Sequence, residues 1–147
     1  MIQFKPMNTA EEWQFIESRA HAIMMADSMG VVAYDDDSKT IQAVCVADTF
    51  TRDACSLHVA IDNPMVLRHG FIQHVFNHLY HNCGRERIFG VVPSSNTRAL
   101  KFDFHIGFRE VARIGDAIAE GIDSVIVRMD KKDCRWIAVV EHLEEAA

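Results

Sequence analysis

The residues with chemistry to offer concentrate in the middle third of the chain. His58 sits within the apolar run Ala54–Ile61. An imidazole is the side chain most suited to proton transfer at neutral pH, although the same position fits a hydrogen-bonded histidine packed under a helix. Further on, Leu67-Arg68-His69-Gly70-Phe71-Ile72 joins a cation, an imidazole and a glycine at the start of an amphipathic segment. The first N–H groups of a helix have no partner within it and carry partial positive charge, so such a terminus can hold a pyrophosphate with few cationic side chains. Gly70 lets the backbone approach a ligand closely. Ser94, after the next apolar run, is either a turn residue or a hydroxyl at the same site.

Other constellations point less firmly to chemistry. His74, His78 and His81 recur at i, i+4 and i+7, a spacing that can chelate zinc. Ile72, Val75, Phe76 and Leu79 take the opposite side, so the histidines read as a solvated face and no metal is assigned. Cys45, Cys55, Cys83 and Cys134 form no CxxC pair and read as reduced thiols, mostly small core hydrophobes. No basic stretch followed by an apolar one opens the chain, so a cytoplasmic location is expected. No run reaches the roughly 20 apolar residues of a membrane span. A formal net charge of −6 argues against direct DNA binding.

The elements that must position these residues read as an alternation of strands and helices. Ile2–Lys5 is a strand ended by Pro6. Thr9 and Glu12 form a capping-box pattern, and Trp13, Ile16, Ala20, Ile23 and Met24 at helical spacing predict a helix over Ala10–Ser28, stopped by Gly30. Val31–Tyr34, Thr40–Phe50 and Ala54–Ile61 form a strand meander, with turns at Asp35–Ser38 and Thr51–Asp53. A helix then runs from Pro64 to Cys83-Gly84. Arg87–Val92 is the next strand, and Leu57–Val92 is long enough for a parallel crossover. Ser95 or Asn96 caps a helix over Thr97–His105, ended by Gly107. Phe108–Ile114 and Ser124–Met129 make a hairpin around a Gly115–Asp123 loop. Cys134–Leu143 fits a strand or a helix. The length of 147 residues, without a linker or repeat, suits one domain over residues 1–147. The expected class is α/β: a mixed, mostly antiparallel twisted sheet flanked by helices on both faces.

In that order of elements, Val91-Val92, Asn96, Ala99, Phe102 and Gly107-Phe108 follow the Arg68/Gly70 loop. This resembles the core of the GNAT N-acetyltransferases over most of the chain. The family loop reads Arg/Gln-x-x-Gly-x-Gly/Ala; Gly70 matches its central glycine, and Ile72 stands where the second small residue is usual. Arg128–Trp136 is similar to small bacteriophage-encoded members. The resemblance implies acetyl-CoA as acetyl donor. The backbone of Val59, Ala60 and Ile61 would hold the pantetheine arm, the amides of Arg68, His69, Gly70, Phe71 and Ile72 the pyrophosphate, and Asn96 and Phe102 the other side of the arm. A primary amine would attack directly in a ternary complex, with His58 as the catalytic base. Asp103 occupies the place of a tyrosine acid four residues before Gly107. The acceptor is a protein, an aminoacylated RNA or a small molecule, and the net negative charge favours a basic one. The alternative is a catalytically inactive module of the same fold that binds a phage or host protein. Apolar late strands such as Val125–Val127 offer a surface for pairing in a homodimer.

Overall fold

The structure, a computed structural model, describes residues 1–137. The elements in chain order are β1 (Ile2–Pro6), α1 (Ala10–Ala20), β2 (Met29–Asp35), β3 (Thr40–Asp48), β4 (Ala54–Ile61), α2 (Phe71–Asn77), β5 (Arg87–Pro93), α3 (Thr97–Ile106), β6 (Arg109–Ala119) and β7 (Ile122–Asp130). The seven strands form one sheet in the order β1-β2-β3-β4-β5-β7-β6. Every neighbouring pair is antiparallel except β4 and β5.

α1 starts as its sequence dictates. The Thr9 hydroxyl accepts from the Glu12 amide at 3.2 Å, and the Glu12 carboxylate accepts from the amides of Asn8 at 2.7 Å and Thr9 at 3.1 Å. Burial alone would raise the Glu12 pKa, but those amides and the Lys5 ammonium at 3.3 Å outweigh it and hold the carboxyl below its usual range. The helix ends at Ala20, not at Ser28, because His21 turns left-handed at φ 53°. Ile23 and Met24, expected in the core, are 66% and 65% exposed. Asp27 pins this segment instead, accepting from the amides of Thr49 and Phe50. Gly30 ends no helix; it lies within β2, where a Cβ would stand 2.9 Å from Met7 Cε and 3.0 Å from the Cys45 carbonyl.

Strand alternation sorts the side chains into two cores. Cys55, Leu57, Ile88, Val125, Val127 and Met129 face α2 and α3, joined by Phe71, Val75, Phe76, Leu79, Tyr80, Ile106 and Phe108. On the other face, Phe15 and Ile16 of α1 bury against Val32, Val44, Val46 and Ala60, each large side chain contributing roughly 1.5–3 kcal/mol. Helices thus flank both faces, and α1 packs on the β1–β4 half of the sheet, with Glu12 reaching Lys5 of β1. Among the described residues no element covers the same face of β5, β7 and β6, where Val91 is 56% and Ile114 54% exposed.

Two late expectations change. The Gly115–Asp123 loop is mostly strand, with the pairing irregular between Ile114 and Ala119. β7 lies between β5 and β6, and Val125 and Val127 are fully buried, so they offer no edge for pairing; among the described residues the edge strand on this side is β6. Of the expected Cys134–Leu143 element, residues 138–143 lie outside the described residues, and 134–137 form a turn and bend. Arg135 and Trp136 donate to the carbonyls of His105 and Ile106, satisfying the end of α3.

Candidate active site

The site begins where the parallel pair separates. β4 and β5 pair at three positions only, Ala54 with Arg87, Cys55 with Ile88 and Ser56 with Phe89. Beyond these, β4 stays on β3 as far as Ile61, and β5 stays on β7 as far as Pro93. Leu57–Ile61 and the residues from Gly90 to Pro93 therefore present facing backbone edges, with no strand of the described residues between them. Gly90 stands at the fork, where a Cβ would lie 3.1 Å from Val127 Cγ2 and 3.9 Å from the Leu57 carbonyl. Buried backbone donors and acceptors require partners. A gap of this kind suits a narrow ligand that carries its own amides and can stand in for a strand.

The connection from β4 to α2 closes one end of the gap. Asn63 caps a short 3₁₀ turn over Pro64–Leu67, accepting from the Met65 amide at 3.1 Å and donating to Gln42 at 2.7 Å. Arg19 grips Asp62 with two hydrogen bonds of 2.8 and 2.9 Å, tying the end of α1 to the end of β4. The amides of Arg68, His69 and Gly70 donate to the carbonyls of Met65, Val66 and Leu67 at 3.1–3.3 Å, so three of the five expected cradle amides are already engaged in the turn. Those of Phe71 and Ile72 open α2, and among the described residues they have no hydrogen-bond acceptor. Their side chains are buried, leaving only backbone to face a ligand. Gly70 is left-handed at φ 86° with nothing nearer to a Cβ than Gln73 Oε1 at 3.9 Å, so conformation rather than crowding requires glycine there. Arg68 and His69 are exposed beside it.

Val59, Ala60 and Ile61 lie on the part of β4 that is paired with β3 but not with β5, and His58 precedes them. His58 Nε2 is 3.0 Å from Asp48 Oδ2, and the Thr49 hydroxyl donates to Asp48 Oδ1 at 3.0 Å. Asp48 is 4% exposed, so a buried carboxylate orients a half-buried imidazole. Sequence reading missed Asp48, although folding the β3–β4 hairpin about Thr49–Asp53 places it diagonally across from His58. Asn96 caps α3 by accepting from the Ala99 amide at 3.1 Å, which leaves its NH₂ group for a ligand. Phe102 is half-buried against the α2–α3 core. Burial pushes the Asp103 carboxyl up to about 6, so it keeps a neutral fraction near neutral pH. Gly107 is required by φ 119° and by Met129 Sδ, which a Cβ would meet at 3.0 Å.

The remaining candidates take structural places. The Ser94 hydroxyl accepts from the Asp123 amide at 2.8 Å, joining the end of β5 to β7. His74 packs on Phe4 at 5.2 Å between ring centres, and burial lowers its pKa. His78 meets Asn82 and Cys83, where α2 widens into a π turn over His78–Asn82. Cys45 and Cys55 are buried, which pushes the Cys55 thiol up to about 12 and Cys45 further still.

Comparison with solved structures places this architecture. The spermidine/spermine N-acetyltransferase SpeG of Vibrio cholerae matches with a TM-score of 0.70 at 9% identity, covering 96% of both chains. The smu.2055 protein of Streptococcus mutans matches at 0.66 and 16% identity, over 87% of this chain and 98% of that one. A GNAT-family acetyltransferase from Bacillus anthracis matches at 0.55 and 14% identity, over 70% and 66%. No protein-family model and no curated protein matches the sequence. At these identities the likeness is one of fold: this chain has the fold of the GNAT acetyltransferases.

Proposed function

We propose that residues 1–137 and their C-terminal continuation act as one acetyl-CoA-binding domain that transfers the acetyl group to a primary amine, by direct attack in a ternary complex. The observation that carries this reading is the parting of β4 from β5 after three paired residues. The fold likeness to N-acetyltransferases supports it.

When bound, acetyl-CoA supplies an acyl carbon activated by its thioester. The chain's own residues bind, orient and handle protons. The β4 edge at Val59, Ala60 and Ile61 offers backbone groups to the pantetheine amides, with the Asn96 NH₂ and the Phe102 ring on the opposite side. The Phe71 and Ile72 amides, with the Arg68 and His69 side chains, receive the pyrophosphate beside Gly70. Asp48 holds His58 through Nε2, so that in the tautomer donating to Asp48 the Nδ1 atom is a free acceptor for a proton from the amine. Asp103 is the proton donor for the departing thiolate: at a pKa of about 6, roughly a tenth of it is neutral at pH 7.

Calorimetric titration with acetyl-CoA tests this reading. Saturable binding that Gly70→Glu abolishes is the expected result; a flat titration at millimolar ligand refutes it. Incubation with labelled acetyl-CoA and a cell extract then separates a transferase, which labels a discrete acceptor, from a non-catalytic module, which binds without transfer.

A further inference from the structure

The open half of the sheet is lined by a set of side chains that run against the charge of the whole protein. Ile88 faces the α2–α3 core, so Arg87, Phe89 and Val91 take the other side of β5. Register places Asp130, Arg128 and Ile126 of β7 beside them in turn, and Arg109 of β6 beside Arg128. On β4, Ser56 pairs with Phe89, so His58 stands one step further along, on the same face and level with Val91. From the His58 level, the Arg128 row lies ~7 Å away along the strands and the Arg87 row ~13 Å.

Three guanidiniums share one carboxylate here. Arg128 binds Asp130 through two hydrogen bonds of 2.7 and 3.0 Å, and this partnership lowers the Asp130 pKa. Arg87 and Arg109 stand 3.9 and 3.7 Å from Asp130, beyond hydrogen-bonding reach. Among the described residues neither side chain donates a hydrogen bond elsewhere, and the two are 42% and 60% exposed. Of the other acids of these strands, Glu110 and Asp123 take the opposite face and bind Arg113, and Asp116, at the far end of β6, accepts from the Gly121 amide. Between His58 and the arginines lie the apolar side chains of Phe89, Val91 and Ile126.

From this we infer that the acceptor amine is carried on a molecule that presents a phosphate or carboxylate to Arg87 and Arg109, with an apolar stretch lying across Phe89, Val91 and Ile126. The inference rests on the acetyl-transfer reading above and names its acceptor class. It reverses the expectation of a basic acceptor drawn from net charge, because three guanidiniums crowd the single Asp130 carboxylate and leave Arg87 and Arg109 without a hydrogen-bonded acid among the described residues. Paired guanidiniums recognise both anions in the same forked manner.

The test compares four amines with acetyl-CoA as donor: aminohexyl phosphate, aminoheptanoate, hexylamine and spermidine, read by thiol release. A kcat/KM for one of the anionic amines at least about tenfold above hexylamine is expected, since charge-assisted hydrogen bonds to an anion contribute on that scale. The better of the two identifies the anion. The exposed double variant Arg87→Ser/Arg109→Ser should erase the preference while leaving hexylamine turnover unchanged. No preference, a preference for spermidine, or a preference that survives in the double variant overturns the inference. A second readout separates it from the acetyl-transfer reading: calorimetric binding of aminohexyl phosphate to the CoA-saturated protein. Binding lost in the double variant, with no amine turned over, supports the anion site while the transferase reading fails. Absence of arginine-dependent binding together with absence of turnover overturns both.

Discussion

The two halves of the sheet are built from similar strands and treated differently. Over β2–β4 the face opposite α2 carries Val32, Val44, Val46 and Ala60, and α1 seals it. Over β5, β7 and β6 the same face carries Phe89, Val91 and Ile126 beside Arg87, Arg109 and Arg128, and no described element seals it. The boundary between the halves is the one parallel junction, and it is there that two strands separate. The packing thus differs on the two sides of the junction: α1 covers the sheet on one side, and on the other no described element does.

The contrast can be broken most severely in the closed half. Val44→Asp places a charge under α1 at a fully buried site. It should cost about 4 kcal/mol or more and abolish cooperative unfolding in a denaturant titration. A normal transition would mean that α1 does not seal this face. At the junction, Gly70→Glu adds strain at φ 86° and a negative charge at the mouth of the gap. Acetyl-CoA affinity should fall at least about 100-fold, with circular dichroism confirming a retained fold; unchanged affinity removes the loop from the site.

Facing the open half, His58→Ala should lower kcat by about 10²-fold and remove one limb of the pH–rate profile, as loss of a general base does. Asp48→Asn should reproduce part of that loss by misorienting the ring. An unaltered profile at saturating donor removes His58 from the chemistry. Asp103 tests the other proton. Its folded pKa is raised, to about 6 from 3.8, so its contribution to stability is full below pH 3.8 and is lost as pH rises through 6. Asp103→Asn should therefore stabilise the protein at pH 7 by on the order of 2 kcal/mol and change little at pH 3.5, as seen in thermal melts at the two values. The smallest effect belongs to the open face: Val91→Asp, at a site 56% exposed, should cost under about 1 kcal/mol, so that its difference from Val44→Asp measures the asymmetry directly.

How much of this was legible in the sequence depends on the range of the interaction. The capping box at Thr9 and Glu12, the Asn96 cap and the Gly107 stop were readable, because each is settled within a few residues. β4 was placed at its observed limits by its run of apolar residues between turn signals. α1 was overextended because Ile23 and Met24 continue its helical spacing, while the left-handed turn at His21 and the hold of Asp27 on the β3–β4 turn depend on tertiary contacts. The resemblance named Gly70 and Asn96, which the structure places at the start of α2 and the cap of α3, but neither the separation of β4 from β5 nor the Asp48–His58 pair has a local signature. The arginine cluster was hidden most completely. Arg87, Arg109 and Arg128 are dispersed over three strands, and only the order β5-β7-β6 brings them around Asp130.

The most direct test is a crystal structure of the protein with a non-hydrolysable acetyl-CoA analogue. The pantetheine arm should lie between Leu57–Ile61 and Gly90–Val92, with amides bonded to the β4 edge and the acyl group on the His58 side. An analogue bound elsewhere, or β4 and β5 paired to their ends, would contradict the account.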